Sequence, residues 1–173
     1  MKTITVDDIM SWDPCDLYDL AVIEEFIGFG KTPLEILDLD IPGEDRLWVV
    51  LREEIIPARE LHLLACDFAE VALMRDREAG LEPHEASWEA IRIKRLWVDG
   101  LATDQDARNC ARKSARNVAW YFGLISARVD ALNAARDSAW DVESNAAKDA
   151  AWYASWELNL SITRKVLLRL EEK

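Results

Sequence analysis

The stretch that most constrains this chain spans residues 104–169. It is rich in alanine, holds one glycine (Gly123) and no proline, and carries Trp120, Trp140, Trp152 and Trp156. Alanine has the highest helix propensity, and without proline nothing forces a helix to stop. Small faces let helices approach closely, and indoles fill the space between them. Two or three stacked helices are therefore expected, with the rest of the chain covering them. Ala107, Ala111, Ala115 and Ala119 recur every fourth residue, along one helical face. Residues 134–140 are echoed by residues 146–152. On one straight helix that offset turns the indole by about 120°, so a turn near Ser144 is expected to let both copies be buried. Gly123 can sit inside a helix at about 1 kcal/mol, or end it.

The remainder reads as a series of shorter helices. Thr5 and Asp8 have capping-box spacing for a helix ending near Trp12. Asp13-Pro14 predicts a second start, with Asp13 as N-cap and Pro14 in the first turn. Leu17, Leu20, Ala21, Ile23, Phe26 and Ile27 form its apolar stripe, and Gly28 and Gly30 stop it. Thr32-Pro33 repeats the signal through Leu37, and the residue before Pro42 is held extended. Gly43-Glu44-Asp45 opens a helix buried through Leu47, Trp48, Val50, Leu51 and Ile55. Pro57 opens another, to about Glu78, with Leu61, Ala65, Phe68 and Ala72 inside. After a turn at 79–83, residues 85–98 place Ala86, Ala90, Ile93 and Trp97 on one face. Thr103 caps the next helix, with acids in its first turn. The last helix buries Ala147, Ala151, Ala154, Leu158, Ile162, Val166, Leu167 and Leu170. No strand signal is present. The expected fold is all-α: a compact bundle of about six to eight helices with the Ala/Trp-rich C-terminal helices as its core. One domain spans 1–173, divided into an acidic N-terminal lobe of short helices (1–42) and a main bundle (43–173).

A chain of 173 residues buries enough surface to fold without staples. No apolar run approaches a membrane span, and no apolar signal core follows Lys2. Cys15, Cys66 and Cys110 are widely spaced and lack a CxxC pair, which reads as free thiols in a reducing, cytoplasmic setting. The net charge of −12 is unevenly placed. Residues 1–60 hold 15 Asp and Glu against 5 Lys and Arg, whereas 61–173 hold 18 against 16. Residues 92–128 reverse the sign, with Arg108, Arg112 and Arg116 on one stripe. Like charges at that spacing cost a helix about 0.2–0.5 kcal/mol per pair, so acids of the same chain or an anionic partner should offset them.

Catalytic and metal signals are weak. His62 and Cys66 share a helical face, but Cys15, Cys110 and His84 are isolated, unlike the paired ligands of structural zinc. Adjacent carboxylates beside helix starts read as caps and solvated faces rather than an acid–base pair. No phosphate loop, nucleophile elbow or HExxH occurs. Neither a cofactor, a metal nor an enzyme is expected.

Residues 64–70 (Leu-Ala-Cys-Asp-Phe-Ala-Glu), then Glu85-Ala86 and Ala90-Ile91, then the Ala/Arg/Trp-rich tract, resemble a group of small all-helical Ala/Trp-rich proteins. These are uncharacterised phage and bacterial proteins and immunity proteins of polymorphic toxin systems. The resemblance covers roughly residues 44–155, and the Cys-Asp-Phe-Ala-Glu run is its most specific piece. Where the group carries Arg-Pro-Arg ahead of its second helix, this chain has Glu82-Pro83-His84. The resemblance implies a non-enzymatic binder.

The expected function is inhibition by protein binding, as a phage-encoded anti-defence protein or a toxin-immunity protein. An acidic face would block a basic, nucleic-acid-binding surface of a nuclease or other toxin or defence protein. The contact candidates are Asp7, Asp8, Trp12, Asp13, Asp16, Asp19, Asp38, Asp40, Glu44 and Asp45, with Trp12 as a partly exposed anchor. The alternatives are a nucleic-acid binder through Arg108, Arg112 and Arg116, and an enzyme of unrecognised type.

Overall fold

A computed structural model of the chain describes residues 2–113 and 147–172, with side chains over 2–110 and 156–172. The features at Gly123 and Ser144, the 134–152 echo, and the side chains of Trp120, Trp140 and Trp152 lie outside those residues. The described residues form eight α-helices and no strand. They are α1 (Val6–Ser11), α2 (Leu20–Ile27), α3 (Pro33–Leu37), α4 (Gly43–Val50), α5 (Ala58–Glu78), α6 (Glu85–Val98), α7 (Asp104–Lys113) and α8 (Ala147–Glu171). One isolated antiparallel bridge pairs Ile4 with Lys31.

Most helix starts follow local chemistry visible in the sequence. Thr5 and Asp8 close a capping box on α1, and Thr32 and Glu35 close one on α3 with Pro33 in its first turn. Thr103 and Asp106 exchange the same pair of bonds at α7. The second start differs from expectation. Asp13 sits at φ 57, in the left-handed region, and its N–H reaches back to the Met10 carbonyl. Asp-Pro here terminates α1, because Asp tolerates that conformation and Pro cannot continue the helix. Asp19 caps α2 instead, accepting from the Val22 N–H at 3.0 Å. Residues 13–19 thus form a turn outside the helical phase, and the expected stripe loses Leu17, Leu20 and Ala21, which are exposed.

The main core joins both halves of the chain. Ile4, Ile9, Ile23, Ile27, Ile36 and Leu37 pack with Leu47, Val50, Leu61, Leu64 and Phe68, and with Trp156, Leu160 and Leu167 of α8. The acidic lobe therefore shares one core with the bundle. In α8 the buried residues are Trp156, Asn159, Leu160, Thr163, Val166 and Leu167, which recur at helical spacings of three and four. Leu158, expected inside, is exposed because it lies off that series. The opposite side of α5 builds a second cluster with α6 from Cys66, Ala69, Leu73, Ala90 and Ile91. On α6 the buried face is Ser87, Ala90, Ile91 and Lys94, while Ile93 and Trp97 are half-buried. Lys94 turns inward because its aliphatic stem packs well and its ammonium lies 4.3 Å over the Trp97 ring.

Candidate partner-binding site

The ten contact candidates all fall in the first three inter-helix segments and α1 and α4, but they are not equivalent. Asp8 is engaged in its cap and accepts from the Lys2 ammonium at 2.7 Å. That Lys2 bond and the Thr5 N–H hold its carboxyl at about 2. Asp19 is occupied in capping α2. Asp38 pairs with Arg164 of α8, and Asp45 accepts from the Tyr18 hydroxyl at 2.7 Å. Glu44 is half-buried and engaged. Asp7, Asp13, Asp16 and Asp40 remain exposed, and their side chains make no hydrogen bond or ion pair among the described residues. With Glu24 and Glu25 of α2, also exposed and without a side-chain bond among the described residues, these four leave the lobe with unneutralised charge.

Trp12 is half-buried, as expected of a partly exposed residue, but its ring is committed to a stack. The Arg52 guanidinium lies 4.0 Å from the Trp12 ring centre and 4.2 Å from that of Trp48. The two indoles meet edge-to-face at 6.5 Å. Arg52 is only 7% exposed, so this cation is held between aromatic faces rather than offered to a partner. More open apolar groups lie nearby in sequence. Leu17 is 83% exposed on the 13–19 turn, and Phe29 is fully exposed between Gly28 and Gly30, both at positive φ. A bulky aromatic flanked by two glycines at a helix stop has little to pack against, a signal readable from the sequence.

Between α1, the 13–19 turn, α2 and α4 lies a cleft of about 330 Å³. Its walls are largely apolar, including Ile9, Ile23, Phe26, Ile41 and Val49, with Trp48 at one side. The polar groups on its lining are few: the Cys15 thiol, which is exposed, Glu44, and the Tyr18–Asp45 pair. Burial and then the Asp45 carboxylate push the Tyr18 phenol well above its ordinary range, so it stays a neutral donor. Pro14, Cys15 and Tyr18 of the 13–19 turn form part of the cleft lining.

Elsewhere several charges are structural. Arg95 donates to Asp67 at 2.8 Å and Glu70 at 2.6 Å, tying α6 to α5. His62 packs edge-on against Trp97 at 5.1 Å, Cys66 is buried, and the His84 Nδ1 accepts the Ala86 N–H at 3.1 Å as the cap of α6. Among the described residues no group of three or more His, Cys, Asp or Glu is placed to hold a metal. No described helix is long and apolar enough to cross a membrane. Arg108 is exposed and makes no ion pair among the described residues, and the side chains of Arg112 and Arg116 lie outside them. No protein-family model, curated protein or solved structure matches the chain.

Proposed function

We propose that the chain is a non-enzymatic, cytoplasmic inhibitor that binds another protein. Its acidic lobe covers a basic, nucleic-acid-binding surface of a nuclease or other toxin or defence protein. The resemblance to phage proteins and toxin-immunity proteins favours that setting, either phage anti-defence or toxin immunity. One observation carries the reading: Asp7, Asp13, Asp16 and Asp40 are exposed without counter-ions among the described residues, in the same lobe as the open Leu17 and Phe29. Unneutralised charge speeds encounter with an oppositely charged surface, and exposed apolar groups supply the contact that holds it.

The test is capture of the partner, its purification, and titration against the protein at low and high salt. A steered complex should weaken by about tenfold or more as the Debye length contracts from ~30 Å at 0.01 M to ~8 Å at physiological ionic strength. Asp7→Asn, Asp13→Asn, Asp16→Asn and Asp40→Asn together should slow association. Affinity indifferent to salt and to these changes contradicts the reading. The exposed Arg108 favours one alternative, a nucleic-acid binder through Arg108, Arg112 and Arg116; a gel shift abolished by their change to Ala would establish it.

A further inference from the structure

We propose that the cleft between α1, α2 and α4 is an anchor pocket for a basic amphipathic segment of the partner. It seats one or two bulky apolar side chains of that segment while its Lys and Arg residues lie over the carboxylates around the mouth. This rests on the reading that the acidic lobe is the binding end, and adds what the partner must present. The volume of about 330 Å³ is more than twice the ~150 Å³ that houses a benzene ring in a protein interior. It stands at the lower end of the range of ligand sites, ~300–1,000 Å³. A ring or a branched aliphatic side chain fits such a space.

Charge complementarity selects the occupant. Glu44 and Asp45 are on the lining itself. Asp13 and Asp16 flank the lining residues Pro14 and Cys15, and Asp40 precedes the lining residue Ile41. An acidic segment would meet like charge on these sides, and a neutral one would leave three exposed carboxylates unanswered. Leu17, 83% exposed, stands in sequence between the lining residues Cys15 and Tyr18, on the turn that supplies part of the cleft wall. A partner helix laid across the opening thus meets an apolar centre and an acidic rim, the arrangement that helix-in-groove recognition uses.

Cys15 supplies a direct readout, because it is exposed on the lining whereas Cys66 is buried and Cys110 half-buried. The probes are three synthetic peptides on the full chain: an amphipathic Leu/Lys helix, a Leu/Glu helix of the same pattern, and a Ser/Lys peptide of the same charge. The Leu/Lys peptide should bind and slow alkylation of Cys15 by about tenfold, with the other two at least about tenfold weaker. Prior coupling of a bulky maleimide to Cys15 of the folded protein, or Ile41→Trp, should abolish that binding. Asp13→Asn, Asp16→Asn and Asp40→Asn together should weaken it and flatten its salt dependence.

If the Leu/Lys peptide binds in a salt-dependent way yet ignores the maleimide and Ile41→Trp, the pocket is wrong while the acidic face stands. The same holds if the Ser/Lys peptide binds equally well. If the Leu/Glu peptide binds as tightly as Leu/Lys, charge complementarity fails, and the acidic-face reading fails with it. Binding by none of the peptides overturns the pocket. So does protection of Cys15 without peptide in a sedimenting dimer, which would make a second copy of the chain the occupant.

Discussion

At the residue scale, several polar groups in and beside the lobe are committed to other residues of the chain rather than left open to a partner. Arg52 held between Trp12 and Trp48 is the clearest case. Two cation–π contacts at ~0.5–2 kcal/mol each suggest a loss of roughly 1–4 kcal/mol for Arg52→Ala, read in a urea melt with a red shift of indole emission as Trp12 is released. Arg52→Lys should recover only part of it, since an ammonium cannot stack on two faces as a planar guanidinium does. Asp8 makes a pH prediction. Its folded carboxyl is held at about 2 against an ordinary 3.8, so its contribution is present above the ordinary value and lost as the pH falls toward 2. Acid unfolding should therefore show a stability gap between wild type and Asp8→Asn above pH 3.8 that closes toward pH 2; a gap independent of pH would assign the difference to another cause.

At the scale of elements, close approach at two glycines sets how neighbouring segments pack. A Cβ on Gly43, in the first turn of α4, would stand 2.8 Å from the Trp156 Cβ and 3.4 Å from Leu160 Cδ1 of α8. Gly43→Ala should push α4 and α8 apart at about 1–3 kcal/mol, the range for overpacking. For a chain of this size that is a fall of roughly 2–4 °C in Tm per kcal/mol, measurable by calorimetry. Gly30 lies at φ 116, and its Cβ would fall 2.6 Å from Thr3 Cγ2 and 3.3 Å from the Ile4 carbonyl. Gly30→Ala should break the Ile4–Lys31 bridge, seen as faster amide exchange at those two residues. The helices themselves were largely legible. Thr5, Thr32 and Thr103 mark their starts because capping is local, and α5 and α6 end close to where their periodicity does. Asp13-Pro14 was ambiguous because the pair suits a helix start and a helix stop alike, and only packing of the 13–19 turn decides. The inward faces of α6 and α8 were legible in part: Ala90, Val166 and Leu167 are buried as expected, whereas Ile93 and Trp97 are half-buried and Leu158 is exposed. Lys94, Asn159 and Thr163 are buried, and a hydropathy stripe passes over polar residues that the fold takes inside.

At the scale of the whole molecule, one core binds the acidic lobe to the bundle, so the lobe is a fixed platform rather than a tail. The sequence located the acidic end through composition alone. It missed the cleft, because a cavity depends on where the chain turns and not on which residues it contains. Tyr18 and Cys15 reach the cleft lining through that turn, whereas Asp19 and Asp8, chosen for their charge, are spent on caps. The central claim is that the acidic lobe, with α4 beside it, is the working end. Hydrogen–deuterium exchange on the complex with the purified partner tests it most directly. The account predicts new protection concentrated in residues 9–49, around the cleft, with α6 and α7 unchanged; protection centred on Arg108 with the lobe unchanged would contradict it.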